Sequence, residues 1–287
     1  MDAIPRSEPE VGEAECGEVR LHCLRWRGAG PTLVLVHGLN NNAWIWARVA
    51  MALHAAGRDV LSVTLRGHGA SSKPDVDYSL RATTRDLSAL LDTLTQGPVD
   101  LAGHSWGGKV ILHLAATAGE RVHSLILADP ALPQGLNPLL TRIPGLVRTA
   151  FEPERGPFGD RASLQAGARR VTYLRVGDEI DSRLWEDNFV EQSDGSFTHC
   201  LAEDHFIEIL ETTLAEDITP LLARVACPVL LLRPTLSVGF WPGELRPLRR
   251  GLGQRLSVDR VSGDHSFIHS NPLDTGQAMS RFLEELR

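Results

Sequence analysis

The sequence predicts an α/β fold with a mostly parallel sheet of about eight strands flanked by helices. Short apolar runs alternate along the chain with longer stretches of helical periodicity, which is typical of parallel strands joined by crossover helices. A glycine-rich turn, 103–108, lies directly between one apolar run and the helical stretch after it. The alternation stops after Pro130 and resumes after Asp204. We therefore expect one sheet interrupted by an inserted segment.

The predicted strands are short, and most of those after the first are apolar runs. They span 19–26, 32–36, 60–63, 99–102, 125–128, 228–232 and 256–261. Continuous apolar runs of this length indicate strands that are buried on both faces. The first run alternates weakly between apolar and polar residues, which favours an early antiparallel strand.

The predicted helices carry apolar residues on one face at helical spacing. They span 43–56, 80–94, 109–118, 208–224 and a C-terminal stretch. Start signals mark the last of them: Asn271 at the N-cap, Pro272 at the first helical position and Asp274 in the first turn.

The composition limits the possible functions. Of the 287 residues, 43% are apolar and 23% charged, which is typical of a globular protein. No apolar run approaches the roughly 20 residues of a membrane span. The net charge of −7 disfavours nucleic acid as a partner. Residues 1–15 lack the apolar core of a secretory signal. We therefore expect a cytoplasmic protein that acts on a small molecule and binds neither nucleic acid nor membrane.

Cysteine and histidine spacing gives no sign of a metal site. The four cysteines are Cys16, Cys23, Cys200 and Cys227, and none forms a C-x-x-C pair. Reduced thiols are expected in the cytoplasm, although Cys16 and Cys23 are close enough in sequence to face each other across a hairpin. The eleven histidines form no H-E-x-x-H pattern. We expect a protein without metal or cofactor.

Ser105 is the candidate nucleophile. It lies in Gly103-His104-Ser105-Trp106-Gly107, which matches G-x-S-x-G at a strand-to-helix junction. A serine hydroxyl needs a base, an exposed position and donors for the oxyanion that it creates. The flanking glycines let the strand and helix backbones approach closely. The alternative is a glycine-rich loop around a buried structural serine.

Six motifs in this order resemble the α/β-hydrolase fold family over nearly the whole chain. They are His37-Gly38, Arg66-Gly67-His68-Gly69-Ala70-Ser71, Gly103 to Gly108, Leu127-Ala128-Asp129-Pro130, Cys227 to Leu232, and Gly263-Asp264-His265. The resemblance implies a hydrolase core over 1–130 and 205–287. It also implies a helical cap over 131–204, since this segment lacks a clean strand period.

The candidate base is His265, which follows the last predicted strand, where the chain returns to the carboxyl edge of the sheet. His269 is the rival, and either histidine could instead pack against the following helix. The oxyanion donors implied by the resemblance are the N–H groups of Leu39 and Trp106. The Asn40 side chain could add a donor, or could simply form a turn.

The acid of the triad departs from the family pattern. The family usually carries it after the seventh strand, where this chain has Leu236. The nearest downstream acid, Glu244, is poorly placed. Asp129, at the end of the sixth strand, is the predicted substitute, because some members of the family draw their acid from that position. Its alternatives are a turn residue before Pro130, a two-residue Ser–His device or an inactive site.

The resemblance implies a serine hydrolase that cleaves an ester, lactone or thioester of a small organic substrate. The candidate substrate-binding residues are Asn40, Trp46, Trp185 and Trp241. A carbon–carbon bond hydrolase would use the same triad. A small-molecule binding protein with a degenerate triad is the non-enzymatic alternative, and Leu236 is the feature that favours it.

Overall fold

The computed structural model describes residues 6–94, 97–132, 155–171, 174, 178–236 and 245–286. The strands are β1 Glu10–Cys16, β2 Val19–Trp26, β3 Thr32–Val36, β4 Asp59–Val63, β5 Val99–His104, β6 Val122–Ala128, β7 Phe189–Glu191, β8 Phe197–His199, β9 Val229–Pro234 and β10 Leu256–Val261. The helices are α1 Ala47–Ala55, α2 Leu80–Leu94, α3 Trp106–Thr117, α4 Arg161–Ala168, α5 Glu179–Glu186, α6 Glu203–Ala215, α7 Leu245–Leu252, α8 Phe267–Ser270 and α9 Pro272–Glu285.

Eight strands form one sheet in the order β1-β2-β4-β3-β5-β6-β9-β10. The hairpin of β1 and β2 joins β4 in antiparallel fashion, and the remaining pairs are parallel. This confirms the predicted fold class. The sequence did not reveal β1, because its first four residues are exposed and give no apolar run.

Both faces of the sheet are covered, which explains the continuous apolar runs. Leu33 and Leu35 of β3 belong to the core that packs under α1 and α9. Val34 and Val36 point the other way, into the core under α2 and α3. The carboxyl ends of the parallel strands meet at one edge, where ligands collect in α/β sheets.

The inserted segment contains more than helices. Besides α4 and α5, its described part includes the antiparallel pair of β7 and β8. Each of these strands has only three residues, so neither leaves a periodic pattern in the sequence.

Local details also differ from the predictions. Asn271 precedes α9 as expected, but its side chain makes no capping hydrogen bond and donates instead to Asp274. All four cysteines are buried free thiols. Burial raises the pKa of Cys23 to about 12. Within the described ranges, no helix has the length and apolar character to cross a bilayer.

Candidate active site

Ser105 occupies a sharp turn between the end of β5 and the start of α3. Its backbone has φ 52° and ψ −119°, a region that costs a residue other than glycine about 1–3 kcal/mol. The Ser105 N–H donates to the Ala128 carbonyl over 3.0 Å, and the Ser105 carbonyl accepts from the Ala131 N–H over 2.9 Å. This turn leaves Ser105 partly exposed at the carboxyl edge of the sheet.

Gly103 and Gly107 let the backbone pass through this turn. A Cβ atom at Gly103 would lie 2.4 Å from the Gly107 carbonyl oxygen. A Cβ atom at Gly107 would lie 2.4 Å from the His37 carbonyl oxygen. Both distances are far inside van der Waals contact, so a side chain at either position would push α3 away from β5 and the loop after β3. The glycines of the motif are therefore required by close backbone approach.

His265 and Asp129 form a hydrogen-bonded pair at the same edge. His265 lies in the loop between β10 and α8, and its Nδ1 is 2.6 Å from Asp129 Oδ2. The Asp129 side chain is 3% exposed and that of His265 is 48% exposed. Because a carboxylate only accepts hydrogen bonds, this contact places the imidazole proton on Nδ1 and leaves Nε2 as the acceptor.

The backbone of Asp129 is also unusual. Its φ is 43°, and its N–H donates to the Leu232 carbonyl over 3.0 Å. The residue therefore bridges the ends of β6 and β9 in a conformation that costs free energy. Such strain is common at functional sites, where the surrounding structure holds it in place.

Three other histidines near Ser105 are poor candidates for the base. Burial lowers the pKa of His68 to about 3. Burial, followed by the proximity of other histidines, lowers the pKa values of His37 and His104 well below the ordinary range. A buried ring whose pKa is lowered in this way resists protonation, which makes these three histidines unsuitable as the base.

His104 has a role that the sequence did not suggest. Its Nε2 lies 2.7 Å from the His265 carbonyl oxygen, and the two rings lie 4.6 Å apart between centroids. The residue before the nucleophile thus anchors the loop of the candidate base. Among the hydrogen bonds of the described residues, none joins the Ser105 hydroxyl to His265. Catalytic contacts of this kind often tighten only when substrate binds.

The candidate oxyanion donors belong to two segments that meet at Ser105, the loop after β3 and the start of α3. Trp106 is the first residue of α3, so its N–H has no acceptor within the helix. In the described part of the chain, the Leu39 N–H also makes no hydrogen bond. A Cβ atom at the preceding Gly38 would lie 3.0 Å from the Ser105 Cβ. The loop after β3 therefore packs directly against the serine.

The four candidate substrate-binding residues have different surroundings. Asn40 adjoins Leu39 and contacts the inserted segment. Trp46 is fully buried, and its Nε1 donates to the Val36 carbonyl over 3.1 Å. Trp185 is 6% exposed and packs within the inserted segment. Both indoles are buried among apolar side chains, and their role in substrate binding stays a prediction. Trp241 lies outside the described residues.

Leu236 stands where the family usually carries the acid of the triad. Its side chain is exposed, and its N–H donates to the Gly263 carbonyl over 2.9 Å. This contact brings the end of β9 close to the loop of His265. The carboxylate that meets His265 is instead that of Asp129, while Glu244 lies outside the described residues.

His269, the rival base, belongs to a buried charge cluster. Its Nε2 lies 2.6 Å from Asp181 Oδ1 on α5. The same oxygen accepts a hydrogen bond from Arg48 of α1 over 2.8 Å, and Asp178 pairs with the other arm of Arg48. His269 is 1% exposed. It therefore links the inserted segment to the core.

This cluster is expected to stabilise the fold. Burial acts to raise the pKa of Asp181, but hydrogen bonds from His269 and Arg48 outweigh it and hold that pKa below its usual value. We expect Asp181→Asn to lower the free energy of unfolding by about 3 kcal/mol. This value is at the lower end of the range for a buried ion pair that loses one partner, because Asp178 still pairs with Arg48. Urea denaturation at neutral pH measures the change.

Glu179→Gln is the matched control, because Glu179 is an exposed acid on the same helix. It should change the free energy of unfolding by less than about 0.5 kcal/mol. The extra stability from Asp181 should be present above the ordinary carboxyl pKa and lost as the pH falls through its lower folded-state pKa. Equal, small losses in both variants would contradict this role.

The sheet order, the strained serine turn and the His–Asp pair together define a class of α/β protein with candidate catalytic groups at the strand ends. The family model described as "alpha/beta hydrolase fold" matches residues 31–237. The chain therefore belongs to the α/β-hydrolase fold family. Among its described residues, no group of three or more His, Cys, Asp and Glu side chains is arranged to hold a metal ion.

Curated relatives match only part of the chain. Lipase LipV of Mycobacterium tuberculosis is 38% identical over 115 residues, which cover 40% of this chain and 43% of the lipase. N-formylmaleamate deformylase of Pseudomonas putida is 33% identical over 152 residues, which cover 52% of this chain and 56% of the deformylase. The chain thus spans about half, or less, of the length of these relatives.

Solved structures match over nearly the full length. The crystal structure of E-2-(acetamidomethylene)succinate hydrolase superposes with a TM-score of 0.81 and 23% identity, covering 96% of this chain and 99% of that one. At this level of identity the likeness shows a shared fold.

Proposed function

We propose that the protein is a serine hydrolase that cleaves an ester, lactone or thioester of a small organic molecule through an acyl-enzyme on Ser105. The observation that carries this proposal is the 2.6 Å contact between His265 Nδ1 and Asp129 Oδ2. It supplies an oriented base at the sheet edge that also holds the serine turn. The lipase and deformylase named among the relatives support hydrolysis at a carbonyl carbon.

In the proposed mechanism, His265 Nε2 takes the proton of the Ser105 hydroxyl as Oγ attacks the carbonyl carbon. The N–H groups of Leu39 and Trp106 stabilise the charge that develops on the carbonyl oxygen. His265 then gives the proton to the leaving oxygen or sulfur as the bond to the acyl carbon breaks. A water molecule releases the acyl group by the same steps, and the Ser105 hydroxyl recovers its proton. Asp129 orients the ring and stabilises the imidazolium.

We also propose that 131–204 is a cap on the core formed by 1–130 and 205–287. Two contacts of its described part support this arrangement. Arg155 Nη1 donates to Asn40 Oδ1 over 2.8 Å, and Trp44 Nε1 donates to Asp187 Oδ2 over 3.1 Å. Both lie after β3, at the carboxyl edge. A cap at that edge would enclose a small substrate above Ser105.

We place this enzyme in the cytoplasm, working without a cofactor. The four free cysteines support a reducing compartment. The proposed steps use only a nucleophile, a base and backbone donors, all of which the chain supplies.

A fluorophosphonate probe tests the proposal, because it reacts quickly only with an activated serine. We expect Ser105 to be labelled, as mapped by mass spectrometry of the modified peptide, and p-nitrophenyl acetate to be hydrolysed. Heat-unfolded protein is the control and should not be labelled. Labelling without ester or thioester hydrolysis would favour the carbon–carbon bond hydrolase. Neither labelling nor hydrolysis would favour a binding protein.

A further inference from the structure

A chain of buried hydrogen bonds joins the proposed cap to the loop after β3. Arg155 Nη1 donates to Asn40 Oδ1 over 2.8 Å. Asn188 Nδ2 donates to the Asn40 carbonyl over 3.1 Å, and Asn42 Nδ2 donates to Asn188 Oδ1 over 3.1 Å. All four residues are at most 8% exposed. Two cap residues therefore hold Asn40: Arg155 binds its side chain, and Asn188 binds its backbone carbonyl.

The direction of each bond is fixed by its chemistry. A guanidinium group only donates, so the Asn40 atom that faces Arg155 must be the amide oxygen. The Trp44 N–H donates to Asn42 Oδ1 over 3.0 Å, so the amide nitrogen of Asn42 faces Asn188. The oxygen of Asn188 is then occupied, and its nitrogen must meet the Asn40 carbonyl. None of these amides can be flipped without losing a bond.

Asn40 is held in a costly state. Its φ is 61°, which asparagine tolerates better than most residues but which remains less stable than the right-handed region. Its Nδ2 is buried and makes no hydrogen bond within the described ranges, and an unsatisfied buried donor costs about 1–3 kcal/mol. Such a conformation persists only where neighbouring groups hold it. Here those groups are Arg155 and Asn188.

Leu39 lies between two residues that are held in place, Gly38 and Asn40. On one side, Gly38 packs against Ser105, where an added Cβ would lie 3.0 Å from the serine Cβ. On the other side, the cap holds Asn40. The Leu39 N–H therefore keeps its direction only while both flanks stay in place.

We propose that Arg155 and Asn188 are positioning residues that hold Asn40 and thereby set the Leu39 N–H as an oxyanion donor. The proposal rests on the function proposed above. It makes docking of the cap a condition for a formed oxyanion hole. Because an oxyanion exists only in the transition state and the intermediates next to it, loss of this positioning should lower kcat and leave KM nearly unchanged.

A double-mutant cycle tests the proposal. Arg155→Met removes the donors and keeps most of the length of the side chain. Asn40→Gly removes the amide that must be held and adopts φ 61° without strain. In the otherwise natural chain, we expect Arg155→Met to lower kcat for p-nitrophenyl acetate by about 10–100-fold. This loss is smaller than the roughly 10²–10³-fold loss in kcat that follows removal of one oxyanion donor, because the Leu39 N–H is misplaced and not removed. In the Asn40→Gly background the same change should cost less than about threefold.

The rate constant for fluorophosphonate labelling is measured in parallel and should follow kcat. Arg161→Met is the matched control, because Arg161 is an exposed arginine of the same segment that pairs with Glu186 and Glu191. It should change neither rate by more than about twofold. Arg155→Lys keeps a charged donor and should recover part of the loss.

Equal losses from Arg155→Met in both backgrounds would overturn the proposal, because they would assign Arg155 a general role in folding. If circular dichroism shows that Arg155→Met does not fold, Asn188→Ala provides the test of positioning by the cap. It removes the bond to the Asn40 carbonyl, and an unchanged kcat in that folded variant would refute positioning by the cap. Failure of the natural protein to label at all would instead overturn the proposed serine hydrolase.

Discussion

Replacing Ser105 with alanine is expected to lower kcat/KM by on the order of 10⁴-fold or more. The variant keeps the backbone turn but has no oxygen to attack the substrate. The free energy of unfolding should change little, because one partly exposed atom is removed from the carboxyl edge of the sheet. Hydrolysis of p-nitrophenyl acetate and urea denaturation measure the two quantities.

His265→Ala should be as damaging as Ser105→Ala, and the double variant should be no worse than either single variant, since the two side chains act as one unit. His123→Ala is the matched control. His123 also pairs with a buried aspartate, Asp100, over 2.9 Å, but this pair lies at the amino ends of β5 and β6. Its loss should leave turnover unchanged. Additive losses at Ser105 and His265, or full activity in either single variant, would contradict the mechanism.

The sequence predicted the sheet and the serine turn well, because both depend on local patterns. Apolar runs identify strands that are buried on both faces, and the glycines beside Ser105 are required by backbone contacts within one turn. The predicted helix at 109–118 begins three residues earlier in the structure, at Trp106. Glycines at its start weakened the helical pattern there.

Contacts between distant residues could not be predicted in this way. The cluster of Arg48, Asp181 and His269 joins three elements that are far apart in the chain. No local spacing indicates such a cluster. Trp46 shows the same difficulty, since helical periodicity places an indole on an inner face without saying whether that face meets the core or a pocket. Here it meets the core.

The candidate acid, Asp129, could be predicted in part. The sequence excluded the usual position, because Leu236 stands there, and Asp129 remained as the nearest carboxylate at a neighbouring strand end. Parallel strands bring their carboxyl ends to one edge, so this fallback had a physical basis. The 2.6 Å distance to His265 then depends on the loop after β10, whose path no sequence pattern describes.

Asp129→Asn is expected to lower kcat by on the order of 10⁴-fold while the fold is retained. The amide nitrogen of the asparagine can donate to His265 Nδ1, which favours the tautomer with the proton on Nε2. That tautomer cannot accept the proton of the Ser105 hydroxyl. Volume is nearly conserved, so the free energy of unfolding should change less than the activity does. Steady-state kinetics and urea denaturation of the same preparation separate the two effects.

Asp264→Asn is the matched control for this prediction. Asp264 adjoins His265 in the chain, but its carboxylate accepts from the Ser266 N–H over 2.9 Å and is exposed. Its replacement should change kcat by less than about threefold, since it would alter a local turn and not the imidazole tautomer. A large loss at Asp264 with a small loss at Asp129 would reverse the assignment. Small losses at both positions would mean that Ser105 and His265 work without a carboxylate partner, and the buried contact of Asp129 would then serve the loop alone.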